Sequence, residues 1–274
     1  VPGVDAVRTM LKADKYKLMC ITQVDTSTGI RSQVKELAAV ARSEGVLSVV
    51  DGACAEAGEE LRQDEWSVDV ALTASQKAVG VPPGLALLVA GPRALGAFNA
   101  RKTPVRSYYC DWGKWLPVME AYEARKPAYF GTPAVNLVRA LNVSLGQILE
   151  EGMELRFKRH ELGARAMRAG LKAMGMGFVP AREDLCASTL TAPWYPEGID
   201  ASVLSRIAAE GVVLAGGLHP EIKARYFRIG HMGANGATEI LATLGAIERG
   251  FAASGYRFGA GEAVAAAQAV LVKG

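Results

Sequence analysis

Short apolar runs alternate with an amphipathic segment over residues 17–90, in the order KLMCIT, SQVKELAAVARSEG, VLSVVD, VDVALT and GLALLVA. Brief, nearly continuous apolar runs separated by a helical period predict a largely parallel sheet buried on both faces. Ligands of such sheets gather beyond the carboxyl ends of the strands. Three predicted ends carry polar groups: Asp25, Thr26, Ser27 and Thr28 after the first, Asp51 after the second, and Ser75, Gln76 and Lys77 after the third.

Beyond residue 90 the pattern loosens. An irregular aromatic stretch, RSYYCDWGKWLPVMEAYEARKPAYFGTP, precedes a predicted helix over residues 136–150. A second predicted helix, over 153–174, opens a region where ASTLTAP, DASVLSRIAAEG, VVLAGG, RYFRIG and ATEILATLGAIERGF again alternate strand and helix patterns. The division falls near 150, giving residues 1–150 and 151–274 as two domains. The Ala- and Gly-rich tail predicts a terminal surface helix, and the opening VPGVDAVRTMLKADKYKLMCITQV reads as a helix end feeding a buried strand, a start in mid-fold.

Composition narrows the classes. The 274 residues are 50% hydrophobic and 22% charged, with net charge +3 and acids and bases interspersed. That is a globular balance without the basic runs of a nucleic-acid or membrane-surface binder, so neither is expected as a partner. Cys20, Cys54, Cys110 and Cys186 lack metal or redox spacing, and His160, His219 and His231 are dispersed, so no metal is expected and the thiols read as reduced and intracellular.

Taken singly, Asp51 followed by Gly52 reads as a turn-initiating aspartate, and Lys77 as a solvated lysine. Together, at the ends of strands of one sheet, they are the two groups pyridoxal phosphate requires: an amine that forms a Schiff base with its aldehyde, and a carboxylate that keeps its pyridine nitrogen protonated. The glycine and two prolines of TASQKAVGVPPG then supply a stiff frame for that lysine.

VVDGACAEAG followed by ALTASQKAVGVPPGLALLV resembles the cofactor segment of the class V aminotransferases, specifically the alanine–glyoxylate and serine–pyruvate branch. ITQVDTSTG, YFGTPAVNL and VVLAGGLHPEIKARYFRIGHMG resemble further family segments in the family's order, so the likeness spans about residues 15–253. The resemblance implies an α/β chain of fold-type I, with the mostly parallel sheet of a large domain, incomplete at its N-terminus, and a smaller C-terminal α+β domain. It implies Lys77 as the Schiff-base lysine and proton carrier, Asp51 as the pyridine partner, Thr26 near the ring, Gln76 beside the phosphate, and Arg228 on the substrate carboxylate. Tyr129 and Thr132 would reach the phosphate of a neighbouring subunit in a homodimer.

Gly216 and Gly217 are expected to let backbone approach the substrate, and Tyr108, Tyr109, Trp112 and Trp115 to serve packing. The family's interface arm, phosphate-cradling turn and ring-stacking aromatic have no counterpart before residue 15, so a truncated aminotransferase with exposed apolar edges is expected. The substrates would be alanine or serine and glyoxylate, and the compartment cytoplasm, peroxisome or mitochondrion, although the final Val-Lys-Gly matches no peroxisomal Ser-Lys-Leu signal. Two alternatives stand beside this reading: an inactive fragment that pairs through residues 129–136, and a cysteine desulfurase-like lyase, for which Cys110 is the loop candidate.

Overall fold

The computed structural model describes residues 1–274. Its first half runs α1 (Val4–Ala13), β1 (Leu18–Thr22), β2 (Val24–Asp25), β3 (Ile30–Arg31), α2 (Val34–Ser43), β4 (Leu47–Asp51), β5 (Val70–Ala74), β6 (Ala86–Ala90), α3 (Pro92–Asn99), α4 (Trp112–Glu123) and α5 (Val135–Glu151). The second half runs α6 (Met153–Ala173), β7 (Leu190–Thr191), α7 (Val203–Ala209), β8 (Ala215–Gly216), β9 (Phe227–Gly230), α8 (Ala237–Ala253) and α9 (Glu262–Leu271).

The first sheet has the order β1-β4-β5-β6, with β1, β4 and β5 parallel and β6 antiparallel to β5. Helix α2 covers it by burying Val34, Leu37, Ala38, Val40 and Ala41, the spacing of one helical stripe, against Ile21, Val50, Val68 and Ala71. The second sheet, β7-β9-β8, is antiparallel and lies under α6, α7, α8 and α9, where Met167, Leu171, Ile207, Phe227, Leu244 and Phe251 form the largest core. The β2–β3 hairpin joins the two: Ala187 N–H donates to Gly29 O at 3.0 Å and Ile30 bridges to Cys186.

Helices α2, α5 and α6 fall where periodicity puts them. Four features differ. Strand β1 is at the sheet edge and buries only Ile21, leaving Leu18 exposed, so the expected buried strand is an open one. The aromatic stretch contains α4, whose start is capped by Asp111 accepting from Gly113 N–H at 3.0 Å, while Pro117 inside it masks the helical pattern. The terminal helix α9 is a surface helix on one side only: Ala265, Gln268 and Ala269 are exposed, whereas Ala263 and Ala267 are fully buried because their small side chains let it lie close to α6. Strand β8 is two residues rather than the whole of VVLAGG, since Val213 is 86% exposed and unpaired. Gly152, at φ +80, separates α5 from α6. No helix is long and apolar enough to cross a membrane.

Candidate active site

Three loops leave the carboxyl ends of β1, β4 and β5 side by side. The register sets Thr22 opposite Asp51 and Asp51 opposite Leu72. Thr26 lies four residues past the first of these, and Lys77 five past the last. The Gly52 N–H donates to Leu72 O at 2.9 Å and the Thr73 hydroxyl donates to Gly52 O at 3.2 Å, so the turn after Asp51 is tied to the strand that leads to Lys77.

Asp51 is exposed, and its Oδ1 accepts from Ala53 N–H at 3.0 Å, the geometry of an Asx turn. The aspartate therefore does initiate a turn, and that bond fixes the direction of its carboxylate. Thr26 presents its hydroxyl 2.8 Å from the buried Cys54 sulfur, which sits in the same turn three residues after Asp51.

Lys77 is half-buried, and its side chain enters no ion pair or hydrogen bond. The stiffness of its setting comes from Ser75. This side chain is fully buried, donates to Pro82 O at 2.8 Å and accepts from Leu85 N–H at 3.1 Å, while Val81 N–H returns to Ser75 O at 3.0 Å. Gly80, at φ +79, lets the chain reverse between these bonds. Gln76, between Ser75 and Lys77, is exposed.

Arg228 comes from β9 in the second sheet. Its Nε donates to Gly216 O at 2.8 Å and its Nη1 to Thr26 O at 3.1 Å, leaving Nη2 without a protein partner. The two glycines upstream have separate roles. A Cβ on Gly216 would meet nothing nearer than 4.0 Å, whereas one on Gly217 would lie 2.5 Å from Lys223 O and 2.6 Å from Tyr226 Cε1. The small size of Gly217 is taken up by the Lys223 backbone and the Tyr226 ring.

Tyr129 and Thr132 are exposed. The intervening Phe130 is held by the rings of Tyr108, Tyr109 and Trp115, with centroids 5.5, 6.2 and 4.6 Å away. Trp112 packs separately against Phe98, with ring centroids 5.5 Å apart and the planes tilted by 40°. The aromatics thus pack, although Tyr108 and Tyr109 remain largely exposed.

Several charged groups near the site gave no sequence signal. Glu56 folds back over Gly52, where a Cβ would meet its Cγ at 2.4 Å, and its Oε1 is buried without a partner. Burial, reinforced by the negative charge of Asp51, pushes its carboxyl up to about 7. His160 accepts from Gly233 N–H through Nε2 at 3.0 Å and lies 2.8 Å from Arg156 O through Nδ1, which defines the neutral Nδ1–H tautomer. Burial holds it down to about 4. His231, beside the Thr191 hydroxyl at 2.8 Å, is fully enclosed and held down to about 3 by the same cause. No group of three or more His, Cys, Asp or Glu side chains is placed to hold a metal ion.

The family model for "Aminotransferase class-V" matches residues 2–219. The chain belongs to that family. It is 38% identical over 237 residues to alanine–glyoxylate aminotransferase 1 of Saccharomyces cerevisiae, an alignment covering 84% of this chain and 60% of the yeast enzyme. Among solved structures, ureidoglycine–glyoxylate aminotransferase of Bacillus subtilis matches with a TM-score of 0.89 at 30% identity, covering 99% of this chain and 70% of that one. Pyridoxamine–pyruvate aminotransferase of Mesorhizobium loti matches with a TM-score of 0.91 at 29% identity, covering 99% and 69%. The chain therefore has the α/β fold of the class V aminotransferases and spans about three fifths of the yeast relative's length.

Proposed function

We propose that the protein is a pyridoxal-phosphate-dependent aminotransferase that moves the amino group of alanine or serine to glyoxylate, giving glycine and pyruvate or hydroxypyruvate. The observation that carries this reading is the alignment of Asp51 with the strand leading to Lys77, with Arg228 bonded across to the Thr26 loop. An amine without a protein partner, a carboxylate with one oxygen committed to a backbone N–H, and a nearby hydroxyl fit an aldehyde-bearing pyridine ring.

Bound pyridoxal phosphate supplies an aldehyde carbon that takes up amino groups and a protonated ring that draws off the electron pair left by proton removal. Asp51 would pair with the ring nitrogen and keep its proton in place. Lys77 is the residue that would hold the cofactor through its aldehyde, and its amine, which has no protein partner, would serve as the base at the substrate α-carbon. Arg228 would offer its one unpartnered nitrogen, Nη2, and the charge of its guanidinium to the substrate α-carboxylate.

Thr26 would sit near the ring and Gln76 near the phosphate. Tyr129 and Thr132 serve the phosphate of a second copy, a role their exposure permits. The homodimer is supported by α5, which leaves Val135, Val138, Val143, Leu145 and Leu149 exposed and buries Ile148. Residues 1–150 form the cofactor-binding domain and residues 151–274 the smaller one, with the break at Gly152. Glyoxylate as acceptor is supported by the names of the yeast and Bacillus relatives, whose donors differ.

The test is the visible spectrum of the protein with pyridoxal phosphate, before and after borohydride, followed by peptide mapping and assay of alanine and serine with glyoxylate. A borohydride-sensitive band with label on Lys77, and ping-pong kinetics with glyoxylate, are expected. Label scattered over surface lysines overturns the cofactor site. Turnover with pyruvate but not glyoxylate overturns the acceptor.

A further inference from the structure

One buried guanidinium touches both turns that carry the proposed cofactor groups. Arg156, in the first turn of α6, is 5% exposed. Its Nε donates to Ala57 O at 2.6 Å, in the turn that follows Asp51, and its Nη2 donates to Ala78 O at 2.7 Å, directly after Lys77. Its Nη1 donates to Glu151 Oε2 at 2.7 Å. All three nitrogens are used, two of them on backbone carbonyls from different loops.

The same carboxylate carries a second arginine. Glu151 also accepts from Arg159 Nε at 2.6 Å, and Arg159 reaches Asn235 O at 2.6 Å and Gly233 O at 3.0 Å, in the loop that follows the strand bearing Arg228. His160 holds that loop from beside it through the Gly233 N–H. The Ala57 backbone is left-handed, at φ +67, a conformation an alanine keeps only where its surroundings fix it. Its carbonyl is the one Arg156 grips. A lysine in place of Arg156 could not span two carbonyls and a carboxylate, because its ammonium is a point donor rather than a planar fork.

We propose that Arg156 is a positioning residue. It sets the separation of the Asp51 turn from the Lys77 turn, and through Glu151 and Arg159 it couples both to the 233–235 loop. This rests on the assignment of Asp51 and Lys77 to the cofactor given above, but its first readout does not require the cofactor.

Amide hydrogen exchange of the cofactor-free protein is compared among wild type, Arg156→Met and Arg156→Lys, alongside the rate of borohydride-trapped labelling of Lys77 by pyridoxal phosphate. In Arg156→Met, exchange is expected to rise at least about tenfold together in residues 52–59 and 75–81, with β4 and β5 unchanged, and Lys77 labelling to slow by about tenfold. Arg156→Lys should loosen one turn more than the other and recover part of the labelling rate. Unchanged exchange in both turns, a rise in only one turn in Arg156→Met, or a uniform rise across the sheet overturns the proposal. Should Arg156→Met fail to fold, Glu151→Gln keeps both carbonyl bonds but removes their ionic anchor. A joint rise in the two turns and in residues 233–236 is then expected, and its absence is equally fatal. Wild-type label away from Lys77 would sink the cofactor assignment alone, leaving the exchange result to decide the role of Arg156.

Discussion

Arg228 donates from Nη1 to the carbonyl oxygen of Thr26 at 3.1 Å, and this bond fixes an arginine of the second sheet to a loop at the end of the first. The guanidinium is thus held in place by the fold itself. Replacing Arg228 with Gln removes the charge while keeping a donor. A charge-assisted pair to a carboxylate contributes about 1.5–3 kcal/mol. The KM values for both the amino acid and the 2-oxo acid should therefore rise about 10- to 100-fold, with cofactor labelling of Lys77 unaffected. Steady-state kinetics of both half-reactions check this, and an unchanged KM would remove Arg228 from the substrate site.

Ser75 is the latch of the lysine turn. Ser75→Ala leaves Pro82 O and Leu85 N–H without their side-chain partner in a part-buried setting. Each such loss costs about 1–3 kcal/mol. Urea unfolding should show a loss of about 2 kcal/mol or more, and amide exchange should rise in residues 77–85 before it rises elsewhere. A variant as stable as wild type would mean that the two prolines alone hold the turn.

The Gly216 and Gly217 pair gives a contrast within one dipeptide. Gly217→Ala forces a Cβ against the Lys223 backbone and the Tyr226 ring, where no flexible side-chain end can yield. Overpacking of this kind costs about 1–3 kcal/mol. Gly216→Ala meets open space and should be close to neutral in stability. Thermal melts of the two variants check the order, and equal losses would show that the β8 segment shifts as a unit.

Much of this architecture was legible because periodicity and strand-end chemistry are local. The stripe of α2, the extents of α5 and α6, and the polar ends at Thr26, Asp51 and Lys77 all lie within short windows of sequence. Side-chain links across the chain left no local signal. Arg156 occurs in a charged helical segment, where an arginine ordinarily faces water, and nothing nearby announces that it meets carbonyls 78 and 99 positions away. The buried side of helix α9 is hidden for a related reason: an alanine-rich segment has no apolar stripe to mark the face that a close neighbour covers. Helix α4 contains Pro117 and buries only Val118, so it carries no apolar stripe that would mark it as a helix.

Glu56 gives the sharpest pH prediction, because its carboxyl is both half-enclosed and beside Asp51. In the folded protein burial and that neighbouring charge push it from 4.5 up to about 7. Between those values the folded form retains a proton that the unfolded chain has released, so stability falls as pH rises through the window. The penalty is absent below the unfolded value and complete above about pH 7. At 1.36 kcal/mol per pK unit it amounts to roughly 3 kcal/mol at most. Glu56→Gln keeps the shape and removes the charge. Wild type and variant should therefore match near pH 4.5 and diverge in the variant's favour toward pH 8, as measured by urea unfolding across that range. His160 and His231, held down to about 4 and 3, tilt stability in the opposite sense in both proteins and cancel in the difference. A flat difference curve would mean that Glu56 swings out of the Gly52 turn and ionises in water.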